Sequence, residues 1–355
     1  MSEDIYRQLQ QRLDLYSMGF PATASGIEIK ILRYLFSEDD ARRFLSLTPK
    51  PESPQTVADR CGEPPEQVAA HLDDMAQRGL LFRLKRGASV RYGAIPFVHG
   101  VFEFQVPTLD RELSEMVEHY FEEGFDRNLQ NSADYFLRTI PVRKAIDLTH
   151  HVASYEDAVE ILRSKEKIVV AECICRKRTE LLKQGCGKPL EACFMFGSMG
   201  QYYLDRGMGR EVALDEAVAI VARCQAAGLV TQPATSQNPS GMCNCCGDCC
   251  GVLRALNKHP KPAEMVFSNY VAQVAVEDCT GCETCVDRCQ MNALRLNAGD
   301  LIQVDPDRCI GCGLCVTVCP TEALSLVAKP EVEQRVPPTS MAEQMMLMAQ
   351  KRGLL

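Results

Sequence analysis

Cysteine is the residue type whose number and spacing in this chain point to chemistry. The chain has 355 residues and nineteen cysteines, and only Cys61 lies outside the stretch from 173 to 319. Because the chain begins without an apolar leader segment, we expect its thiols to stay reduced, which favours metal binding over disulfides. Thiolates are the ligands that zinc and iron–sulfur clusters prefer.

Two cysteine runs near the carboxyl end share the spacing C-x2-C-x2-C-x3-C. The runs are "CTGCETCVDRC" and "CIGCGLCVTVC", offset by 30 positions. Three closely spaced thiolates on one loop can reach three corners of a cubane cluster, and the fourth cysteine then points to a neighbouring cluster. Zinc is disfavoured here, because a zinc ribbon uses only four ligands from paired C-x2-C motifs.

The duplicated run resembles the bacterial two-cluster ferredoxins over about sixty residues. The resemblance implies that one 4Fe–4S cluster is held by Cys279, Cys282, Cys285 and Cys319, and a second by Cys309, Cys312, Cys315 and Cys289. Gly281 and Gly311 would then form the tight part of each cofactor-binding loop, where backbone N–H groups approach sulfur. Gln290 stands where the first run of the family often has proline.

Nine further cysteines lie in two earlier blocks, "CICRKRTELLKQGCGKPLEAC" and "CNCCGDCCG". These candidate metal ligands are Cys173, Cys175, Cys186, Cys193, Cys243, Cys245, Cys246, Cys249 and Cys250. Adjacent side chains of an extended segment point to opposite faces, so Cys245 and Cys246 would serve two centres, or one would ligate while the other packs. The basic run from Arg176 to Arg178 would stabilise an anionic thiolate cluster.

The spacing of these nine cysteines leaves several interpretations open. Four of them could bind a third 4Fe–4S cluster, or both blocks could ligate and hold two further clusters or one unusual multi-iron centre. Zinc and buried unligated thiols are the alternatives. Within the second block the spacing favours Cys243, Cys246 and Cys249 as ligands. Cys224, on a helix predicted over 215–227, is expected to be a buried core thiol.

Two resemblances accompany the central cysteines. The C-x-C-R segment, the "CNCC" run and the C-terminal dicluster module together resemble a group of anaerobic 4Fe–4S proteins, which implies a redox role. The "CCG" within the second block is similar to the cysteine-rich domains of heterodisulfide reductase subunits, which hold non-cubane clusters.

We predict an α+β fold of several domains to position these cysteines. It comprises a winged-helix-like domain over 1–105, a helical connector over 106–165, a cysteine-rich α/β central domain over 166–255, a dicluster ferredoxin-like domain over 256–330, and a linker with an amphipathic tail helix over 331–355. The central domain is expected to open on the strand "KIVVAE". The pair His150–His151 in the connector is expected at the surface or in a capping role.

The predicted first domain has helical stretches followed by "RLKRGASVRYGAIPF", which alternates around Gly87 like a strand–turn–strand. This order resembles the winged helix-turn-helix domain of many bacterial regulators. The presumed recognition helix carries Glu66, Asp73 and Asp74, the wrong sign of charge for DNA. A role in packing or partner docking is therefore favoured over nucleic-acid binding.

Charge and hydropathy limit the kinds of partner that the chain can have. The chain has a net charge of -8, and the ferredoxin-like region is acidic, which favours redox partner proteins with a basic docking face. No stretch approaches 18 apolar residues, so we expect no membrane span and a cytoplasmic location. The sequence shows no G-x-G-x-x-G after a strand and no P-loop.

These patterns favour an iron–sulfur electron-transfer protein, or an electron-transfer subunit of a larger oxidoreductase, over a self-sufficient enzyme. It would pass single electrons through two 4Fe–4S clusters and at least one further cluster. Two alternatives are a redox-responsive winged-helix transcription regulator and a reductase with a catalytic iron–sulfur centre in the central domain.

Overall fold

The computed structural model describes residues 4–131, 137–145 and 153–354. His150 and His151 lie outside the described residues. Helices and strands are mixed along the chain, in agreement with the predicted α+β class. Within the described residues, no helix is long and apolar enough to cross a membrane.

The amino-terminal part contains five helices followed by a hairpin. The helices are α1 (Ile5–Asp14), α2 (Ile27–Leu35), α3 (Glu38–Leu45), α4 (Pro54–Cys61) and α5 (Pro65–Gln77). Ser37 and Asp40 form a reciprocal capping box at the start of α3, which satisfies two backbone donors that the helix leaves free. Strands β1 (Phe82–Arg86) and β2 (Ser89–Gly93) pair antiparallel. The predicted strand–turn–strand around Gly87 is therefore confirmed.

Two helices, α6 (Arg111–Tyr120) and α7 (Asp126–Asn131), connect this part to the rest of the chain. Asp110 caps α6 by accepting a hydrogen bond from the backbone N–H of Leu113. Aromatic side chains of this connection stack against those of the preceding segment, as in the edge-to-face contact of Phe102 and Phe121, whose ring centroids are 5.7 Å apart. The connection is thereby packed into the same hydrophobic core.

A five-stranded antiparallel sheet forms the centre, in the order β5-β3-β4-β7-β6. Its elements are α8 (Ala158–Arg163), β3 (Ile168–Glu172), α9 (Ile174–Leu181), β4 (Glu191–Phe196), α10 (Gly197–Asp205), β5 (Gly209–Glu211), α11 (Leu214–Ala226), β6 (Val230–Pro233), β7 (Gly241–Cys245) and α12 (Gly251–Lys258). The predicted strand "KIVVAE" is confirmed as β3. In the pairing of β4 with β7, Cys193 lies opposite Cys243, so the sheet itself brings the two cysteine blocks together.

The carboxyl-terminal part consists of short elements and two strand pairs. They are α13 (Pro262–Met265), β8 (Tyr270–Val274), α14 (Thr284–Arg288), β9 (Leu294–Leu296), β10 (Ile302–Val304) and β11 (Leu324–Ala328). Strand β8 pairs with β11, and β9 pairs with β10, both antiparallel. The two strands expected in "ALRLNAGDLIQV" are β9 and β10, so that prediction is confirmed.

The tail ends in helix α15 (Met341–Lys351), as the sequence predicted. Before the helix, the backbone carbonyl of Pro338 accepts a hydrogen bond from the N–H of Gln237 at 2.8 Å. After it, the guanidinium of Arg352 lies 3.3 Å from the carboxylate of Asp14. The tail is therefore docked along the body and returns to α1.

The hairpin and α5 contact the central sheet region through Tyr202 on α10. The Tyr202 hydroxyl lies 2.9 Å from the carbonyl oxygens of both Ala76 and Leu81, so it caps the end of α5 and the approach to β1. On the hairpin, Arg83 pairs with Asp73 at 2.8 Å and with Asp205 at 3.2 Å. The positive charge of Arg83 is thus paired with carboxylates of this chain.

Candidate metal centres

The eight cysteines of the two duplicated runs line two separate cavities. The first cavity is lined by Cys279, Cys282, Cys285 and Cys319. The second is lined by Cys289, Cys309, Cys312 and Cys315. Each cavity therefore takes three thiols from one run and a fourth from the other. This arrangement suits two cubane clusters, because each cubane needs four thiolates.

Gly281 and Gly311 form the tight part of the two loops. Both have φ of +66°, and a Cβ atom would lie 2.1 Å from the carbonyl oxygen of Asp300 at Gly281 and 2.2 Å from that of Tyr270 at Gly311. No other residue type fits such a left-handed, closely approached position. Backbone N–H groups also reach the sulfurs, as at Cys309, whose Sγ lies 3.4 Å from the nitrogen of Ala272.

Six of the nine central cysteines form a closed ring of thiols, called the ring below. Each member shifts the pKa of its two neighbours in the order Cys173, Cys175, Cys250, Cys245, Cys243, Cys193 and back to Cys173. They line one cavity of about 100 Å³. Because a single water needs only about 10–15 Å³, this cavity has room for a ligand of several atoms.

The pKa values of the ring thiols alternate around the ring. Hydrogen bonds received from two neighbouring thiols lower the pKa of Cys173, Cys243 and Cys250 well below the ordinary value. The thiols that donate those bonds, Cys175, Cys193 and Cys245, have a raised pKa for the same reason. Six thiolates so close together repel one another, so a metal cluster is the species whose positive charge would let all six ionise.

The ring cavity has three polar side chains in its wall. His99 and Glu103 come from the amino-terminal part and Tyr203 from α10, and they line the cavity together with apolar residues. Burial raises the pKa of Glu103 to about 8 and lowers that of His99. His99 has a left-handed backbone, with φ of +58°, a conformation that is uncommon for residues other than glycine and is found at functional sites.

The other three central cysteines form a second group, called the trio below. Cys186, Cys246 and Cys249 have Sγ atoms that all lie within 4.8 Å of one another. The three thiols that the spacing favoured as ligands are thus divided, with Cys246 and Cys249 in the trio and Cys243 in the ring. Cys243 and Cys245 lie on one face of β7, whereas Cys246 follows the strand and points away. The vicinal pairs 245–246 and 249–250 each contribute one thiol to the ring and one to the trio.

Arg176 lies between the ring and the trio and is 1% exposed. Its Nη1 is 3.1 Å from the carbonyl oxygen of Asn244 and 3.9 Å from Sγ of Cys246. Burial by itself would lower the pKa of Arg176, but the attraction of thiolates, with Cys173 foremost, raises it overall. Among the described residues, its Nε and Nη2 have no hydrogen-bond partner. The thiolates are therefore the counter-charge of this buried cation.

Arg178 is also fully buried but has a carboxylate partner. Its Nη1 lies 3.0 Å from Glu118, and its Nη2 lies 3.3 Å from the carbonyl oxygen of Cys249. The guanidinium also lies 4.9 Å from the centroid of the Phe121 phenyl group. Of the two arginines in the basic run, only Arg176 thus depends on the thiolates for charge balance.

Gln290 joins the duplicated runs to the central cysteines. Its side-chain oxygen accepts a hydrogen bond of 2.8 Å from the backbone of Gly247, between Cys246 and Cys249. Its carbonyl oxygen accepts another of 2.8 Å from Asn257 on α12. Gln290 directly follows Cys289, so the second of the two cavities is the one next to the central centres. The residue that departs from the family pattern is a contact between the two modules.

Cys224 lies where the sequence predicted it, whereas the polar residues of the ring cavity were not predicted. Cys224 is fully buried on α11 and belongs to neither the ring nor the trio, in agreement with its predicted role as a core thiol. His99 and Glu103 were missed, because they lie about seventy residues before the first ring cysteine. The only local signal was the sequence "VHG", because histidine adopts a left-handed backbone more often than most residues do.

Comparison with known proteins identifies one matched segment. A family model described as a 4Fe-4S binding domain matches residues 302–325, which contain all four cysteines of the second run. No curated protein matches the chain significantly, nor does any solved structure. The chain therefore carries a 4Fe–4S binding domain, and its cysteine clusters support an iron–sulfur electron-transfer role.

Proposed function

We propose that the protein relays single electrons through two ferredoxin-type 4Fe–4S clusters to a further iron–sulfur centre in the ring. The observation that carries this proposal is the division of eight cysteines into two cavities of four. A bound 4Fe–4S cluster supplies one-electron redox chemistry. The protein contributes the thiolates, the N–H groups that approach sulfur, and the burial that tunes the potentials.

The direction of the relay follows from the position of the two cavities. Cys282 is exposed, and Glu277, Asp278, Glu283 and Asp287 around the first cavity are exposed as well. An acidic, solvent-facing rim suits a redox partner with a basic docking face. The second cavity adjoins the central module through Gln290. Electrons would therefore enter at the first cluster and leave the second toward the ring.

Iron counting on anaerobically purified protein tests the clusters. Two cubanes require about eight irons per chain, and more iron is expected if the ring is loaded. Replacing Cys312 with Ser should remove a cluster signal from the electron paramagnetic resonance spectrum, whereas Cys224→Ser, a buried thiol outside both runs, should keep every signal. A protein that contains zinc alone would contradict the proposal.

Charge reversal at the acidic rim tests the entry point. Glu277→Lys with Asp278→Lys should slow reduction by a basic electron carrier, most strongly at low salt, because long-range attraction is screened by ions. Glu331→Lys, at an exposed position in the tail, is the matched control and should leave the rate unchanged. An equal response in both variants would place the docking surface elsewhere.

A second candidate function is reduction of a small molecule at the ring. The observation that favours it is the polar wall of His99, Glu103 and Tyr203 on a cavity with room for several atoms. A disulfide-type substrate would take two electrons, delivered singly, and two protons, and leave as two thiols. The test is a substrate-responsive paramagnetic signal that disappears in Cys245→Ser while the ferredoxin signals persist; a signal that ignores candidate substrates would exclude this function.

Transcriptional regulation remains the weaker alternative. Arg83 of the hairpin is committed to Asp73 and Asp205, and Tyr202 fastens the end of α5 to α10. These contacts favour a packing role for the winged-helix-like part. Binding of specific duplex DNA at low salt with clusters intact would reverse this preference.

A further inference from the structure

The trio has three cysteines, whereas each ferredoxin cavity has four and the ring has six. We propose that Cys186, Cys246 and Cys249 hold a single tetrahedral metal ion of the zinc class, separate from every iron–sulfur cluster. The proposal does not depend on the electron-relay function, because it concerns a different set of thiols and a different metal.

The distance between two of the sulfurs carries the argument. Sγ of Cys186 lies 3.8 Å from Sγ of Cys246, and all three sulfurs fall within 4.8 Å of one another. Zinc–sulfur bonds of about 2.3 Å in a tetrahedron place two sulfurs about 3.8 Å apart. Thiolates on a cubane lie farther apart, because several iron atoms separate them. The trio is therefore dimensioned for one ion.

The local sequence agrees with the geometry. Cys246 and Cys249 form a C-x2-C pair, the usual spacing of zinc ligands on one turn. That turn connects β7 to α12, and Cys186 lies on the loop between α9 and β4. An ion held by all three would tie this loop to the turn that also carries Cys250 of the ring.

The surroundings of the trio are built for an anionic metal–thiolate group. One divalent ion with three thiolates carries one negative charge, and Arg176 lies 3.9 Å from Sγ of Cys246. The hydroxyl of Thr179 lies 3.0 Å from Sγ of Cys249 and 3.0 Å from the carbonyl oxygen of Arg176, the two acceptors for its one proton. Lys188 is ion-paired with Asp248, which lies between Cys246 and Cys249 in the chain. Such outer contacts orient thiolate ligands and stabilise their charge.

Access and coordination number define the site further. Cys246 and Cys249 are fully buried, while Cys186 is half-buried, so the ion would enter past Cys186. Within the described residues, no fourth histidine, cysteine or carboxylate joins the group. The fourth position is then left to water or a small thiol, as at zinc sites with three protein ligands.

Metal analysis of the full-length protein, purified without oxygen, tests the site. We expect about one zinc per chain, with an X-ray absorption spectrum that shows sulfur ligands at about 2.3 Å. The zinc content should fall to nearly zero in Cys249→Ser and in Cys186→Ser, while the iron content stays unchanged. Cys224→Ser is the matched control, because it removes a buried thiol of the same region and should keep the zinc.

Two outcomes would overturn the proposal. Zinc retained at the same level in both trio variants would show that the ion binds elsewhere. Loss of about four irons in Cys186→Ser, with no zinc in the parent protein, would show a third cubane instead. If Cys249→Ser does not fold, Cys186→Ser decides the question, because Cys186 is half-buried on a loop. The ferredoxin signals of the Cys186→Ser protein then show whether it is folded.

Discussion

The buried guanidinium of Arg176 should raise the reduction potential of the ring centre. Replacing it with methionine keeps most of the volume but removes a positive charge that has no carboxylate partner among the described residues. Without that charge, adding an electron to the thiolate-bound centre becomes less favourable. The potential of the Arg176→Met protein should therefore fall.

The size of the shift follows from Coulomb's law, because the thiolates that act most on Arg176 are those of the ring, with Cys173 foremost. At a separation of about 8 Å, two unit charges attract by about 2 kcal/mol at an effective dielectric constant of about 20. For one electron, 59 mV corresponds to about 1.4 kcal/mol, so we expect the potential to fall by roughly 90 mV.

The assay is an anaerobic redox titration followed by paramagnetic resonance, with the ferredoxin signals of the same sample as an internal reference. Arg176→Lys keeps the charge and should shift the potential by much less than Arg176→Met. Arg210→Met, at an exposed arginine, should not shift it. An unchanged potential in Arg176→Met with full iron content would refute the electrostatic reasoning, as would a shift to a higher potential.

Two predictions on stability accompany this one. Gly311→Ala should lower the free energy of unfolding by about 1–2 kcal/mol because of its left-handed backbone. The loss should be larger still, because the new Cβ would lie 2.2 Å from the carbonyl oxygen of Tyr270. Gly87 is also left-handed but lies in open space, so Gly87→Ala should show the backbone cost alone in denaturant titrations, and equal losses in the two variants would contradict this. Burial would raise the pKa of Asp40, but hydrogen bonds, with Arg78 first, hold it well below its usual range. Because the folded pKa is the lower one, Asp40 stabilises the fold above the unfolded pKa of about 3.9, and this contribution is lost as the pH falls further. Asp40→Asn should thus destabilise the protein at pH 7 by about 1–3 kcal/mol, and the difference from the parent protein should shrink below pH 4; a constant difference down to pH 2 would contradict the assignment.

The structure contains several features that the sequence predicted. The hairpin around Gly87, strand β3, the β9–β10 pair and the tail helix all follow from local signals, namely period-two alternation, turn residues and helix caps. The resemblance to two-cluster ferredoxins implied that each run lends its fourth cysteine to the other group, and the two cavities are lined in this way. The match to a 4Fe–4S binding domain over 302–325 rests on that same local pattern.

The division of the central cysteines was decided by the tertiary structure. Their spacing left one cluster, two clusters or an unusual centre open, because the blocks are about fifty residues apart and no local rule relates them. The antiparallel pairing of β4 with β7 places Cys193 opposite Cys243, and the end of β7 turns Cys246 away from Cys245. Long-range strand pairing thus separates a ring of six thiols from a trio.

The residues that surround these thiols could not be predicted from the sequence either. Arg176 was recognised as a charge near cysteine, but its burial between two thiol groups depends on how α9 packs against the turn after β7. His99 and Glu103 reach the ring cavity from a segment distant in sequence. Residue type and spacing determined that this chain binds metal through thiolates; which thiolates share a centre, and what faces them, was decided by contacts that form only when the whole chain packs.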